Sequence, residues 1–344
     1  MTQKVTDQAD PLNKPIGIYY EHPDWFRPLF QQLDSRGVNW TRIDARNHTY
    51  NPRADDVPYS LVFNRMSPSA WKRDLADGIF YTLGYLAHLE NRGVRVINGF
   101  QGFTHETSKA LQLDLLERLG LGYPQAVVIH KPSQAPLAAK DIGFPLVVKP
   151  NIGGSGAGIV RFSNPEDLQL AVAENRLFFG IDSTALVQEF FPARDSIITR
   201  VEVLGGKYLY AIQIHITGET FDLCPADICK NARGEELVRS ACAVDAPKTG
   251  LRVEAYDAPA QVRQDVERIM QTAGIDVGGV EYVIDDRNGR LLYYDINALS
   301  NFVADPERVI GFNPYARLAD YLISEARQNE SLPTSPLSRA GGRQ

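Results

Sequence analysis

Cysteine is scarce in this chain: only three occur in 344 residues, and no two of them form a Cys-x-x-Cys pair. A disulfide framework and a zinc site are therefore not expected. No apolar run approaches the roughly 18 residues needed to cross a bilayer. The polar stretch Met1–Lys14 also lacks the apolar segment of a secretory signal. These absences predict a cytoplasmic protein without a membrane partner.

Basic residues are slightly outnumbered, 36 against 42 acidic ones for a net charge of −6, and they form no block. The electrostatic footprint of a nucleic-acid-binding protein is therefore missing. What is present is an ordinary globular composition, with 44% hydrophobic, 10% aromatic and 23% charged residues. At about 150 residues per domain, the length predicts two or three domains.

The first part of the chain alternates between strand-like and helix-like segments, which predicts a parallel sheet in an α/β domain. Further along, short turns join strand-like runs, which predicts antiparallel hairpins with helices between them, an α+β region. The predicted strands are 16–20, 40–44, 61–64, 94–98, 125–130, 146–149, 159–162, 186–191, 197–204, 208–215, 280–284 and 291–296. The predicted helices are 26–36, 79–91, 108–119, one that begins at Pro165, and 259–273.

A glycine-rich segment follows the apolar run 145–148 and Lys149. Its members are Gly153, Gly154, Ser155, Gly156 and Gly158. Glycine lets backbone amides approach phosphate oxygens closely, but the spacing matches neither the Walker loop nor the Rossmann loop. We expect a strand–loop–strand flap over phosphates, with Lys149 partly enclosed beside an anion. The alternative is a surface hairpin with a flexible tip and an exposed lysine.

Acidic and amide oxygens collect around the turn 286–289. If Gly289 takes the left-handed position of a three-residue loop with a bulge, Glu281 lies opposite Asp295, and Asn297 shares that face. Two carboxylates and an amide oxygen suit Mg²⁺ that bridges substrate phosphates. A two-residue turn would instead put Glu281 on the other face, and a solvent-facing polar stripe is the alternative interpretation.

Taken in order, these residues resemble the ATP-grasp superfamily. The matching positions over roughly 105–325 are Lys109 at a helix start, Lys149 before the glycine loop, Val187–Phe191, Arg200, Glu281 and Asp295–Asn297. Their spacing is most similar to that of the RimK-type α-L-glutamate ligases and the related lysine-biosynthesis ligases. The stretches Asn64–Pro68 and Leu89–Asn98 also resemble the pre-ATP-grasp domain of those ligases.

The resemblance implies a fold and its boundaries. An N-terminal pre-ATP-grasp α/β domain (15–105) precedes an ATP-grasp fold of two α+β subdomains that clasp the nucleotide. The central subdomain (106–185) contains the glycine loop, and the C-terminal subdomain (186–326) contains the metal site. Residues 1–14 and 327–344 lack hydrophobic periodicity and are expected to be disordered ends.

The resemblance also implies roles. ATP would be bound by Lys109 and Lys149 at the phosphates, by the loop Gly153, Gly154, Ser155, Gly156 and Gly158, by the adenine hinge Gln188, Glu189, Phe190 and Phe191, and by Asp195 at the ribose. Mg²⁺ or Mn²⁺ would be held by Glu281, Asp295 and Asn297. Many relatives carry Glu where Asp295 stands, which leaves one or two ions open. Arg200 and Lys149 would be catalytic, with Arg200 neutralising the γ-phosphate or an acyl-phosphate. Taken singly, each residue has an ordinary structural interpretation.

The segments that are expected to contact the substrates resemble the ATP-grasp ligases least. The segments 218–236 and Ala298–Phe302 depart from the pattern of the relatives, so their substrates do not carry over. Four basic residues are candidates for holding substrate carboxylates, namely Arg65, Lys230, Arg233 and Arg239. A solvated basic face is the alternative interpretation of each.

By this resemblance the chain is expected to be an ATP-dependent carboxylate–amine ligase. It would form an amide or peptide bond through an acyl-phosphate and release ADP and phosphate. The alternatives are a carboxylate–thiol ligase, a phosphotransferase and a non-catalytic ATP-binding module. The expected partners are small-molecule or peptide substrates, with a carrier protein or a second copy of the chain left open.

Overall fold

A computed structural model describes residues 12–22, 24–54, 57–153, 158–216, 229–230, 236–238 and 252–331. Its strands are β1 (Ile16–Tyr20), β2 (Trp40–Asp44), β3 (Leu61–Arg65), β4 (Arg95–Ile97), β5 (Ala126–Ile129), β6 (Leu146–Pro150), β7 (Val160–Phe162), β8 (Ala185–Glu189), β9 (Ile197–Leu204), β10 (Lys207–His215), β11 (Cys229–Lys230), β12 (Glu236–Val238), β13 (Arg252–Tyr256), β14 (Val277–Ile284) and β15 (Leu291–Asn297). Its α-helices are α1 (Arg27–Ser35), α2 (Ala76–Glu90), α3 (Phe100–Glu106), α4 (Lys109–Arg118), α5 (Ala135–Ile142), α6 (Pro165–Ala173), α7 (Ala260–Ala273), α8 (Pro306–Ile310) and α9 (Pro314–Ser331). None of the helices in these ranges is long and apolar enough to span a membrane.

The first sheet is parallel, as predicted, with the strand order β2-β1-β3-β4. Strands β1 and β3 are buried at every position because helices cover both faces of the sheet. One face packs against α1 and α9, and the other packs against α2. The carboxyl ends of β1 and β3 therefore form a protected edge, where Tyr20 pairs with Arg65.

The second sheet has the order β12-β11-β7-β6-β8-β5. Strands β6 and β7 are antiparallel, with Leu146 opposite Phe162, so the glycine segment joins two antiparallel strands as predicted. Residues 154–157 themselves lie outside the described ranges. Helices α5 and α6 pack on one face of this sheet, around Val148 and Val187. The alternate residues of β6 and β8 face the other way.

The third sheet is antiparallel, with the order β13-β10-β9-β14-β15. Helices α4 and α7 cover one face, and the opposite face meets the first sheet through Tyr210 and Ile212. Asn98, which follows β4, links the two sheets through its side chain. Its amide nitrogen donates to the carbonyls of Val277 and Ala298, each at 2.7 Å, so β14 and the end of β15 are fixed to the first sheet.

Residues 12–14 and 327–331, which lie near the two ends of the chain, pack against the first sheet. Leu12 is buried, and the backbone N–H of Lys14 donates to Glu330 at 2.8 Å. Helix α9 continues to Ser331 because its apolar side chains pack against the first sheet. The expectation of disorder is therefore wrong for residues 12–14 and 327–331, while residues 1–11 and 332–344 lie outside the described part. Helices α3, α5, α8 and α9 and strand β13 were not predicted.

Candidate active site

The hairpin β14–β15 places Glu281 directly opposite Asp295. The predicted pairing is confirmed, but its cause is different. Gly289 has the expected positive φ of 77°, yet the register shift lies between Glu281 and Tyr282 and not at the turn. Tyr294 and Asp295 therefore both oppose Glu281 in a β-bulge. The bulge brings the Tyr294 hydroxyl to Glu281 Oε2, to which it donates at 2.7 Å.

Arg200 on β9 is the centre of a buried row of charges. Its Nε donates to Glu202 Oε1 at 2.6 Å, and its Nη1 donates to Glu281 Oε1 at 2.8 Å. Gly279 gives the guanidinium its space, because a Cβ at that position would lie 2.8 Å from Arg200 Nη2. Burial raises the pKa of Glu281, and the positive charge of Arg200 opposes that rise.

Lys109 is the first residue of α4, and its ammonium is paired with Asp295 Oδ1. Burial alone would raise the pKa of Asp295, but Lys109 outweighs it, so the pKa is lowered. The helix start is fixed from two sides. Ser108 caps it by accepting the N–H of Leu111, and Asn151 Oδ1 accepts the N–H of Ala110 at 2.9 Å. Since Asn151 directly follows β6, the second sheet positions Lys109.

Lys149 and Gln188 lie on the face of the second sheet that α5 and α6 leave uncovered. Lys149 is only 6% exposed, which confirms the predicted enclosure. Its positive charge also lowers the pKa of Asp295. Gly153 lies beside Lys109, whose Cε would be 3.7 Å from an added Cβ. Gln188 Oε1 is buried and has no hydrogen-bond partner among the described residues.

The predicted hinge after β8 is held by the turn of the β14–β15 hairpin. Arg287 donates to Glu189 Oε2 at 2.7 Å and to the carbonyl of Phe190 at 3.2 Å. The same guanidinium donates to Asp285 Oδ2 at 2.7 Å. Phe191, the next residue in the chain, is buried in the same hydrophobic cluster as Tyr294. One hairpin therefore carries Glu281 and Asp295 at one end and fixes the hinge at the other.

The oxygen ligands of Glu281, Asp295 and Asn297 fit a hard cation. No group of three or more His, Cys, Asp or Glu side chains suited to a metal is found in the described part of the chain. The candidate centre is therefore two carboxylates and one amide. Asn297 Nδ2 donates to Asp295 Oδ2 at 3.0 Å, which leaves the amide oxygen of Asn297 as a ligand. Such a donor set suits Mg²⁺.

Several candidates are not brought into this cluster. Asp195 is exposed, with a φ of 54° in the short turn before β9. Gly158 has a φ of 79° and lies against Phe178. Lys230 pairs through its backbone with Val160 of β7. The positions that lie outside the described residues are the side chain of Lys230 and all of Gly154, Ser155, Gly156, Arg233 and Arg239.

Arg65, at the end of β3, is brought close to the cluster. It is 2% exposed, and its Nη2 donates to the carbonyl of Ser300 and, at 3.1 Å, to Asn301 Oδ1. The first sheet therefore reaches the segment that follows β15. Burial lowers the pKa of Arg65 to about 10, so its guanidinium stays charged at neutral pH.

Sequence reasoning missed four residues of this region: Glu106, Asn151, Glu202 and Arg287. Glu106 accepts the N–H of Ala298, and burial raises its pKa to about 7. For Glu202, a signal was available, since it follows Arg200 by two positions on a strand and so shares its face. The contacts of Glu106 and Asn151 with the site, and those of Arg287 with the hinge, are long-range and have no local pattern.

Comparisons with known proteins show what the chain is similar to in sequence and in fold. No model of a protein family matches the chain. A probable α-L-glutamate ligase from Thioalkalivibrio sulfidiphilus is 28% identical over 229 residues, which are 61% of this chain and 73% of that protein. The ATP-grasp ligase PsnB, complexed with a minimal precursor, has a TM-score of 0.63 at 19% identity, over 91% of this chain and 99% of that one. The D-alanine–D-alanine ligase of Bacillus anthracis has a TM-score of 0.62 at 16% identity, over 92% and 99%.

The structural matches show the two-subdomain ATP-grasp fold, which confirms the predicted fold class. ATP-grasp ligases use ATP with Mg²⁺, and another PsnB structure is a complex with Mg and ADP. The chain therefore has the ATP-grasp fold and is similar in sequence to probable α-L-glutamate ligases.

Proposed function

We propose that the chain activates a substrate carboxylate as an acyl-phosphate and passes the acyl group to an amine. The observation that carries this proposal is the buried cluster in which Glu281 and Asp295 lie among three cations, Lys109, Lys149 and Arg200. Cations and metal-ligating carboxylates in one enclosed place are what phosphoryl transfer to a carboxylate needs, because its catalysis is mainly positioning and charge neutralisation.

The chemistry has two balanced steps. A carboxylate oxygen forms a bond to the γ-phosphorus while the bond to the bridging oxygen breaks, and ADP leaves. The amine lone pair then forms a bond to the acyl carbon, phosphate leaves with the bonding pair, and the amine nitrogen loses a proton. Lys109 and Lys149 neutralise phosphate oxygens in the first step, and Arg200 neutralises the acyl-phosphate in the second.

We propose that Glu281, Asp295 and Asn297 hold one Mg²⁺, for which Mn²⁺ can substitute. When bound, the ion neutralises phosphate charge and orients the γ-phosphate. Burial of Glu281 and the pairing of Asp295 with Lys109 keep these oxygens dry and fixed before the nucleotide arrives. Asp295 is one methylene shorter than the glutamate of many relatives, which favours one ion over two.

We assign the adenine base of ATP to the predicted hinge, residues 188–191. The N–H of Phe190 already donates to the carbonyl of Pro145, and its own carbonyl accepts from Arg287. At the hinge, Gln188 Oε1 is a buried acceptor that has no partner in the described residues. It suits the exocyclic amine of adenine, whereas guanine presents a carbonyl oxygen there. A preference for ATP over GTP follows.

The substrates are proposed to be small-molecule or peptide carboxylates and amines. The sequence relative is named a probable α-L-glutamate ligase, and one structure of PsnB contains a precursor peptide. Both names describe substrates built from amino acids. A substrate attached to a carrier protein would use the same chemistry.

The test is an incubation with Mg·ATP, pooled carboxylates and hydroxylamine, followed by mass spectrometry. A hydroxamate formed together with ADP, and abolished when EDTA removes Mg²⁺, is the expected result. AMP in place of ADP, or no carboxylate-dependent turnover, would overturn the proposal. Repeating the reaction with pooled amines or pooled thiols separates an amide-forming ligase from a thioester-forming one, and a stable phosphate ester would indicate a phosphotransferase.

A further inference from the structure

The glycine segment, residues 153–158, begins beside the hydrophobic core of the first sheet. Ile152, which precedes it, is 4% exposed and belongs to the first-sheet core, the hydrophobic cluster on the α2 face of that sheet that also contains Met66 and Ala70. Lys149, on the second sheet, lies only three positions earlier. The chain therefore reaches the first-sheet core between a proposed phosphate ligand and the segment proposed to cover the phosphates.

The exit of the glycine segment is joined to the same core by two aromatic rings. Gly158 has a φ of 79°, and a Cβ at this position would collide with the ring of Phe178. Phe178 in turn packs against Trp71, with 5.4 Å between the ring centroids and 38° between the ring planes. Trp71 lies in a short 3₁₀ helix (Ala70–Arg73) that follows β3, and it contacts the first-sheet core. A row of three residues therefore connects the exit of the segment to that core.

Trp71 is held by its own surroundings and does not depend on Phe178. Its ring is partly buried against the first-sheet core, and Arg73, at the end of the same 3₁₀ helix, is paired with Glu21, which is 4% exposed. Phe178 is 39% exposed and lies in the connection between α6 and β8. The fixed partner of the pair is therefore Trp71, and the loss of its ring would leave Phe178 without this support.

The connection that contains Phe178 is also bonded to the entry of the glycine segment. Asn151 Nδ2 donates to Asp182 Oδ2 at 2.7 Å, and the backbone N–H of Asn151 donates to the carbonyl of Thr184 at 2.9 Å. Residues 178–184 are therefore hydrogen-bonded beside the entry of the segment and in contact with its exit.

The ring of Trp71, and not its N–H, makes the contact with Phe178. The indole Nε1 is buried and has no hydrogen-bond partner among the described residues. Aromatic pairs are favourable beyond the area that they bury, so this contact is of a kind that fixes a side chain in place. A single exposed aromatic residue is ordinary on a protein surface, but Phe178 lies between the glycine segment and the first-sheet core.

We propose that Trp71 is a positioning residue of the nucleotide site. Its ring holds Phe178, Phe178 holds Gly158, and Ile152 fixes the entry in the same core. The first-sheet core thereby sets both ends of the glycine segment without contacting the nucleotide. Fixing the ends in advance lowers the conformational entropy that is lost when the segment binds phosphates, which strengthens binding. This inference rests on the proposed ATP-dependent function and adds a residue that controls its nucleotide affinity.

The test measures nucleotide affinity in the full chain with Mg²⁺, the carboxylate found by the hydroxamate reaction, and hydroxylamine. In Trp71→Leu, KM for ATP should rise about tenfold, as for the loss of one aromatic pair, with kcat within about threefold of wild type. The Kd of Mg·ADP, measured by calorimetry, should rise by the same factor. KM for the carboxylate should stay within about threefold of wild type.

Trp71→Phe is the conservative variant, because it keeps an aromatic ring and removes the N–H. Its KM for ATP should stay within about threefold of wild type. Trp40→Leu is the matched control, since Trp40 stacks on Phe30 on the opposite face of the first sheet, with 4.8 Å between the ring centroids. Its KM for ATP should stay within about twofold of wild type.

Phe178→Leu tests the same contact from the other side. Because Phe178 is 39% exposed, this variant is expected to fold even if Trp71→Leu does not. Its KM for ATP should also rise about tenfold. The double variant should show a rise of about tenfold and not of about 100-fold, since both changes break one contact.

Wild-type KM and Kd values in Trp71→Leu or in Phe178→Leu would overturn the inference and leave the ligase function standing. The same holds for effects that multiply in the double variant, for a Trp71→Phe variant as impaired as Trp71→Leu, and for a loss confined to kcat. Equal changes in KM for ATP and KM for the carboxylate would give Trp71 a role in the fold alone and would also overturn it. A wild type that neither binds Mg·ADP nor forms a hydroxamate would overturn the ligase function and this inference together.

Discussion

The two ends of the β14–β15 hairpin contain buried acidic residues in very different surroundings. At the turn end, Asp285 is 0% exposed, and its partners Arg287 and Asn288 lie within three positions of it in the chain. Burial alone would raise the pKa of Asp285, but the hydrogen bonds and charge of Arg287, together with Asn288, lower it below its usual value. At the site end, Glu281 and Asp295 are paired with Arg200 and Lys109, which come from other elements.

We interpret the turn end of the hairpin as a scaffold and the site end as the proposed reaction centre. A short-range network such as that of Asp285 forms with the turn itself and holds the hinge whatever is bound. The long-range pairs at the site end meet only when three sheets and α4 have assembled. In the proposed mechanism, their cations move from the carboxylates to phosphate oxygens when the nucleotide binds, because both kinds of oxygen are anionic acceptors.

The largest expected effect is at the site end. Asp295→Asn removes a carboxylate charge that is proposed to ligate the metal, and it removes the partner of Lys109. ADP formation should fall by about 1,000-fold or more, as when a preorganised electrostatic group is lost from an active site. Steady-state ADP release measures it. The matched control is Asp286→Asn in the turn, whose ion pair within the described residues is an exposed one with Arg194 at 3.7 Å. Its rate should stay within about twofold of wild type.

At the turn end, Arg287→Met should weaken nucleotide binding without slowing the chemical step. The variant frees Glu189 and the carbonyl of Phe190, which loosens the hinge. KM for ATP should rise about tenfold with kcat within about threefold of wild type. Initial rates over a range of ATP concentrations give both constants. Arg290→Met, an exposed arginine of the same hairpin, is the control. A drop in kcat without a change in KM would contradict the assignment of the hinge.

The buried row of charges around Arg200 also depends on the space that Gly279 leaves for the guanidinium. Gly279→Ala puts a methyl group 2.8 Å from Arg200 Nη2 and 3.0 Å from Glu202 Cδ, while two glutamates prevent the guanidinium from moving away. The free energy of unfolding should fall by about 1–3 kcal/mol, as for other overpacked sites. Urea denaturation measures it. A variant as stable and active as wild type would show that the row is not fixed in this arrangement.

The smallest effect is a pH dependence from Glu106. Burial raises its pKa from 4.5 to about 7, so the folded state binds a proton that the unfolded state has released. Stability from this carboxyl is therefore present below about pH 4.5 and is lost as the pH rises to about 7. Glu106→Gln should remove this loss and be more stable than wild type at pH 8, by at most about 3 kcal/mol. Equal stability at pH 4.5 is the internal control, and a variant less stable at pH 8 would contradict the assignment.

Local patterns in the sequence predicted much of this structure. Strand β9 matches its predicted range, and both the enclosure of Lys149 and the pairing of Glu281 with Asp295 are confirmed. The reason given for that pairing was wrong, because the extra residue is Tyr294 in the strand and not a residue of the turn. Bulges depend on packing against a neighbouring element, which a single hairpin sequence does not contain.

The missed parts of the site are those made by tertiary contacts. Nothing near Arg65 in the chain indicates Ser300, which is 235 positions away. Asn151 has the same limitation, since its cap on α4 spans 41 positions. Helix α9 was overlooked because its apolar spacing runs into a polar end that looked like a tail. Order and spacing therefore predicted candidate residues, and the fold adds which of them meet.

The central claim, transfer of the γ-phosphate to a carboxylate at the Glu281–Asp295 end of the hairpin, is tested most directly by isotope transfer. The substrate carboxylate is labelled with ¹⁸O in both oxygens, and the phosphate released with the amide product is analysed by mass spectrometry. An acyl-phosphate intermediate predicts one ¹⁸O atom in each phosphate and one in each amide. Unlabelled phosphate, or label found in AMP, would contradict the account.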